Sequence, residues 1–300
     1  MENLLQQLLN GITWGSIYAL VALGYTMVYG VLKLINFAHG EVYMVGAMVG
    51  YYAAHALGVA ATPSLGALLI VMLVSMLACG LLGALIERVA YRPLRGAGRL
   101  APLITAIGVS LLLQNAGQLV FGADPKFFPT LLRSEELVRV GGIAVSNIQV
   151  VVLATAVALM AGLQYVVQRT RFGRAMRAVS YDAPAAALMG VPVDRVILGT
   201  FVLGSMLAAA AGILVGLSNP KIDPLMGLMP GLKAFVAAVL GGIGSVPGAM
   251  VGGLLLGVIE TLVTGYLSST YRDAIAFVIL VLILLVRPTG LFGAPQTEKV

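Results

Sequence analysis

Asn36, His39 and Glu41 stand within six residues of one another in the stretch LINFAHGE, at a junction between two long apolar runs. An amide, an imidazole and a carboxylate so close to apolar sequence are costly in lipid, so they face a cavity or the protein interior. On that reading, Asn36, His39, Gly40 and Glu41 gate or line a pathway. The alternative is a hinge at the membrane surface, with Asn36 capping the next helix and Glu41 favouring its N-terminus. The two readings are compatible and both stay open. A second stretch, Gly241-Gly242-Ile243-Gly244-Ser245-Val246-Pro247-Gly248, is no dinucleotide fingerprint, because no strand or soluble fold surrounds it. Gly241, Gly242 and Gly244 read either as a broken helix whose freed backbone lines a pathway or as a tight turn. Gly248 with Gly252, and Gly253 with Gly257, repeat at the spacing that lets helices approach closely, and packing is the favoured reading there.

The third stretch runs from residue 169 to 195, RTRFGRAMRAVSYDAPAAALMGVPVDR, with Arg169, Arg171, Arg174, Arg177 and Arg195 in a chain that is only 10% charged. Asp182 suits a helix cap, Pro184 a first turn, Gly190 a C-terminal stop, and Pro192 lies just beyond. These signals predict a helix of about two turns over Ala183–Met189, too short to be stable alone in water. The membrane surface, the rest of the chain or a partner protein must hold it. Its small residues Ala185, Ala186 and Ala187 are read as an exposed face that a partner approaches, so an arginine at position 186 is expected to block that approach. Elsewhere Glu260, Gln114 and Asn115 sit inside apolar runs and read as interhelical hydrogen-bonding groups, Glu260 alternatively pairing with a base across the bundle.

Several chemistries are excluded. A P-loop needs Lys followed by Ser or Thr, whereas the five lysines are followed by Leu34, Phe127, Ile222, Ala234 and Val300. His39 and His55 are sixteen apart, which fails zinc-protease spacing. Neither enzymatic activity nor a bound cofactor or metal is expected. The lone Cys79 excludes an intrachain disulfide. The net charge of +6 resides largely in arginines beside apolar spans, which fits orientation and lipid headgroups rather than nucleic acid.

The elements that carry these residues follow from composition. With 60% hydrophobic residues in 300, the chain reads as an all-α, polytopic transmembrane helical bundle of about 8–10 spans in one domain, 1–300. Spans are expected over Leu4–Val31, Val42–Ala60, Leu65–Ile86, Ala101–Phe121, Ile148–Gln168 and Val196–Leu217, then two from Leu232 to Leu267 split near Gly244, and Ala274–Val286. That makes about nine crossings, with the connection Leu32–Glu41 alternatively re-entrant. Arg272 and Arg287 are expected to snorkel from the ends of the last span. Loop 87–99, with Arg88, Arg92, Arg95 and Arg99, and loop 169–195 are both placed in the cytoplasm. The C-terminus, with Lys299, follows them inside, and the N-terminus lies outside without a cleavable signal. Loop 122–147 then faces outward, and its loose alternation around Gly141-Gly142 predicts a small hairpin. Residues 17–60 and 234–267 share a span–hinge–span pattern that reads as a faint internal repeat.

LINFAHGE, ERVAYRPLRG, GRAMRAVSYDAPAAALMGV, GGIGSVPGAMVGG and the terminal RPTGLFG together resemble the permease subunits of bacterial branched-chain amino acid ABC transporters. The resemblance covers essentially the whole chain. It implies import of hydrophobic amino acids across the inner membrane, a second related permease, two cytoplasmic ATPases that hydrolyse the ATP, and a periplasmic substrate-binding protein. By position it puts Asp182, Ala185, Ala186 and Gly190 on a coupling helix against an ATPase, with Arg171, Gly173, Arg174 and Arg177 just upstream. Related permeases for urea or short amides form the alternative. From a different class, an ion-coupled carrier or channel would have to use Glu41 and Glu260.

Overall fold

The computed structural model describes residues 2–98, 100–140 and 142–293; Arg99, Gly141 and Lys299 lie outside the described residues. In chain order the elements are α1 (Glu2–Leu32), α2 (His39–Ala56), α3 (Leu65–Ile86), α4 (Leu100–Phe121), β1 (Lys126–Phe127), β2 (Glu136–Val140), β3 (Ile143–Ser146), α5 (Asn147–Arg169), α6 (Arg171–Tyr181), α7 (Ala183–Leu188), α8 (Val193–Ser218), β4 (Lys221–Ile222), α9 (Leu228–Gly241), α10 (Val246–Tyr266) and α11 (Arg272–Val286). Among the described residues, seven helices are long and apolar enough to cross a membrane: α1, α3, α4, α5, α8, α10 and α11. The all-α bundle is therefore as expected. Two elements differ from the expected spans. α2 opens on His39 and Glu41, and α9 has 14 residues, about 21 Å of helix against a hydrocarbon core of about 30 Å. α9 is thus shorter than a full crossing, and both helices are preceded by irregular chain.

Local signals set the helix starts. The side chains of Ser64, Ser146, Thr170, Asp182 and Ser245 cap α3, α5, α6, α7 and α10, and Gln149 completes a capping box at Ser146. α11 begins at Arg272, two residues earlier than expected. Arg272 does not snorkel: its Nε donates to Glu260 Oε1 at 2.8 Å, because a buried carboxylate offers it more than the interface does. Asn36 does not cap α2 either. The cap position is Ala38, and Asn36 Oδ1 instead accepts from the Tyr91 hydroxyl at 3.0 Å.

Glycine and alanine hold the core together. A Cβ on Gly15 would lie 2.8 Å from the Leu254 Cα, and one on Gly253 would lie 2.5 Å from the Ala19 Cα, so α1 and α10 touch backbone to backbone. A Cβ on Gly212 of α8 would come within 2.5 Å of the Tyr43 carbonyl, and one on Gly46 of α2 within 2.5 Å of the Ala209 Cα. In lipid, apolar burial gives no drive for helices to associate, and such close approach supplies it through van der Waals contact. The glycine ladder of α10 thus packs, as its spacing indicates.

The arrangement has an inverted internal symmetry. α1 packs on α10 as α8 packs on α3; α2 packs on α3 as α9 packs on α10; α2 leans on α8 and α9 on α1. α1 runs away from the end where Gln6 Oε1 accepts from the Ala144 N–H, and α8 runs toward that end, where the Phe128 N–H donates to the Pro220 carbonyl. The units are α1–α4 and α8–α11. The expected pairing of 17–60 with 234–267 is corrected, because glycine-rich apolar sequence looks alike everywhere, whereas packing partners do not.

One end of the bundle is basic. Asp194 at the start of α8 binds Arg92 at 2.7 Å and Arg95 at 2.5 Å, and Arg95 also reaches buried Glu87. Ser180 Oγ donates to the Gly30 carbonyl at 2.6 Å, which joins α6 to the end of α1. The opposite end carries the β1–β4 pair and the β2–β3 hairpin, with Lys126 opposite Ile222 and Arg139 opposite Ala144. Loops 87–99 and 169–195 therefore share one end, and 122–147 occupies the other.

Candidate functional site: a crevice between two helix starts

After α1 ends, residues 33–38 turn back alongside it. His39 then sits against Gly24, well inside α1, with its ring 5.0 Å from that of Tyr25. α2 thus begins within the bundle. α9 begins at the same place from the other direction. A Cβ on Gly40 would lie 2.6 Å from the Gly227 carbonyl and 2.9 Å from the Gly231 Cα. The two helices meet N-terminus to N-terminus there, and glycine is required on both sides. Asn36, His39 and Glu41 are all buried, so the junction lies in the protein interior, with Glu41 in the first turn of α2 as the hinge reading also expects.

Beside this junction opens a pocket of about 300 Å³. Gly40, Glu41, Gly227 and Gly231 form its floor; Tyr25, Phe37, Leu228 and Leu232 form one wall; Ile107, Ser110, Leu111 and Gln114 of α4 form the other. Glu41 Oε1 accepts from Gln114 Nε2 at 2.8 Å and from Ser110 Oγ at 3.4 Å. Gln114 is the interhelical hydrogen-bonding group expected from its sequence, whereas Asn115 points outward and bonds the Leu111 carbonyl of its own helix. The face of α4 beyond the pocket is apolar and uncovered, with Ile104, Leu112 and Leu119 exposed. Chemically, the site offers a carboxylate, an amide and a hydroxyl on an otherwise apolar wall, which suits holding a small amphipathic solute.

Gly241, Gly242 and Gly244 lie elsewhere, at the turn joining α9 to α10 near the basic end. Gly242 has φ +105° and Gly244 φ +97°, and the Leu291 and Phe292 N–H groups donate to the Leu240 and Gly241 carbonyls at 2.9 Å each. The structure separates these three glycines from the crevice and makes them a turn against the C-terminal segment. Gly244 borders a separate pocket of about 240 Å³ with Gly30, Arg177 and Ser180.

The basic stretch forms two helices rather than a loop with one. Thr170 Oγ1 caps α6 through the Gly173 N–H at 3.1 Å, and a side chain on Gly173 would run into the end of α5. Arg177 donates back to the Val167 carbonyl, while Arg171 and Arg174 are exposed. Asp182 Oδ1 accepts from the Ala185 N–H at 2.9 Å, and Gly190 takes φ +82°, so cap and stop are where their residue types put them. Ala186, however, is only 5% exposed; it faces the bundle, and Ala185 and Ala187 face outward. The projecting groups are Tyr181, Leu188 and Met189, at 89%, 90% and 85% exposure.

Sequence reasoning missed Lys233. It is buried on α9, bonded to Glu260 of α10 and, at 2.6 Å, to Asp273 of α11; Arg272 completes the cluster and lies 5.2 Å from the Trp14 ring centroid. A lysine inside an apolar run was the available signal, since such a charge must find a partner.

Comparison with known proteins gives the family of this chain. Residues 7–284 match the family described as branched-chain amino acid transport system / permease component. The chain is 46% identical to the high-affinity branched-chain amino acid transport system permease protein BraD of Pseudomonas aeruginosa, covering 99% of this chain and 98% of that one. It is also 46% identical to the permease protein LivH of Salmonella typhimurium and to that of Escherichia coli, covering 99% of this chain and 97% of each of those. A solved structure, PsaBC from Streptococcus pneumoniae in complex with Fab, is similar at a TM-score of 0.49 and 14% identity, covering 97% of this chain and 94% of that one. On the family match and the end-to-end identity, this chain belongs to the branched-chain amino acid transport permease family.

Proposed function

We propose that this chain is one of two related membrane-spanning subunits of an inner-membrane importer that carries branched-chain amino acids inward, with the Glu41 crevice on the route. What carries the reading is the 46% identity along essentially the whole chain to relatives named as high-affinity branched-chain amino acid permeases. The chain contributes one permease domain and no ATP site; separate cytoplasmic ATPases supply the energy, and a periplasmic binding protein delivers the solute. The basic end, with Arg92, Arg95, Arg171 and Arg174, faces the cytoplasm by the charge rule for membrane loops. The C-terminal segment, tied to Leu240 and Gly241, lies on that side too.

α6 and α7 form the coupling element. Tyr181, Leu188 and Met189 are large apolar groups held away from the bundle, and such groups mark an interaction surface when they cluster. An ATPase groove receives them, while Asp182, Ala185 and Gly190 shape the helix that presents them. Gly173 and Arg177 anchor α6 to the end of α5, and the exposed Arg171 and Arg174 flank the contact. Membrane vesicles holding the full complex with its binding protein test the assignment. Labelled leucine should accumulate with ATP inside, and excess isoleucine or valine should compete while urea does not. Competition by urea alone, or uptake driven by an ion gradient without ATP, would overturn it.

A further inference from the structure

Three carboxylates among the described residues are buried in the bundle: Glu41, Glu87 and Glu260. Glu87 has Arg95, and Glu260 has Lys233 and Arg272. Glu41 has no cation within ion-pairing distance among the described residues. Its Oε1 is held by Gln114 and Ser110; its Oε2 has no partner, although the residue is only 1% exposed. A buried acid without a counter-charge is expensive, and chains normally supply one. Glu41 itself lines the pocket beside this junction. Gly227 lies against Oε2 without crowding it, because a Cβ there would come within 2.7 Å of that oxygen. The walls around it are Phe37, Leu111, Leu228 and Leu232.

We propose that Glu41 binds the ammonium group of the amino acid in transit, and that the apolar walls of this pocket receive its branched side chain. An ammonium has three donors and no acceptor, so it complements a carboxylate oxygen that accepts nothing. Gln114 and Ser110 act as positioning residues, holding Oε1 so that Oε2 is presented. An aliphatic amino acid satisfies the charge and the apolar walls together. Urea has neither a cation nor an aliphatic chain, and a carboxylic acid of the same shape brings a negative charge toward Glu41. This inference rests on the branched-chain reading above and adds a selectivity element within the membrane to that of the receptor.

The test uses the complete complex in vesicles with its binding protein, reading leucine imported per ATP hydrolysed. Glu41→Gln should keep receptor-stimulated ATP hydrolysis while leucine per ATP falls by about tenfold or more, the effect of losing one charge-assisted contact. Glu41→Asp should recover part of it. An unchanged ratio in Glu41→Gln, or no recovery in Glu41→Asp, overturns the proposal. A second arm leaves Glu41 and its positioning residues intact: in a Cys79→Ser, Ile107→Cys complex, leucine should slow alkylation of the new thiol on the pocket wall, and isocaproate, the same skeleton without the ammonium, should not. Equal protection by both, or none by leucine, also overturns it. If the wild-type complex fails to import leucine, the branched-chain reading itself falls, a result separate from any behaviour of the variants.

Discussion

A single methyl group has large consequences where backbones touch. Gly40 and Gly227 face each other at the junction of α2 and α9. Gly40→Ala should force the two helix starts apart and lower both the thermal stability of the complex and its transport, since overpacking of a filled core costs about 1–3 kcal/mol. Unfolding in detergent and uptake in vesicles check both, and an unchanged midpoint would mean that the junction yields. Lys233 poses the opposite problem. Lys233→Met leaves Glu260 with Arg272 only, and breaking a buried pair from one side costs about 3–5 kcal/mol when no other partner remains; the residual arginine puts the loss at or below the lower bound. The double variant Lys233→Met/Glu260→Gln should be more stable than Lys233→Met alone. Additive losses, read by denaturation of the purified subunit, would show that the two side chains do not stabilise each other.

At the level of elements, α7 shows how a sequence feature can be right in kind and wrong in face. The cap, the proline and the stop glycine put a short helix over Ala183–Leu188. A helix of six residues is too short for periodicity to say which alanine faces inward, and it is Ala186 that packs against the bundle. An arginine at 186 would therefore unseat α7 and report on folding rather than on docking. Leu188→Asp is the cleaner probe, since that side chain touches little of its own subunit. It should abolish receptor-stimulated ATP hydrolysis while insertion and pairing with the second permease persist. Normal stimulation at matched protein levels would remove α7 from the coupling path.

Over the whole molecule, the placement of loops at two opposite ends makes orientation a single yes-or-no question. In a Cys79→Ser background, an impermeant thiol reagent applied to intact cells with permeabilised outer membranes should modify Ser134→Cys beside the hairpin and spare Met189→Cys beyond α7. Both positions are exposed, unlike Ser180, whose hydroxyl is engaged with Gly30. Labelling of Met189→Cys alone would invert the topology and detach the coupling helix from any cytoplasmic partner.

What the sequence by itself determined is the local and compositional part. Long apolar runs give membrane helices because lipid leaves the backbone no other way to satisfy its hydrogen bonds. Arginine clusters mark one end, caps and glycines set helix limits, and the motifs from LINFAHGE to RPTGLFG carry the family. The small-residue spacing of α10 was legible as packing for the same reason, since it repeats within one helix. Only the tertiary structure decided which distant groups meet. Glu41 and Gln114 are 73 residues apart, and Lys233 and Glu260 are 27 apart. No helical period links such positions, so neither the crevice nor the ionic cluster has a local signature. The depth of α2 was hidden likewise. Polar residues between two apolar runs fit a surface hinge as well as an interior break, and it is the contact of Gly40 with Gly227 and Gly231, made by a chain segment nearly 200 residues away, that holds the helix start inside.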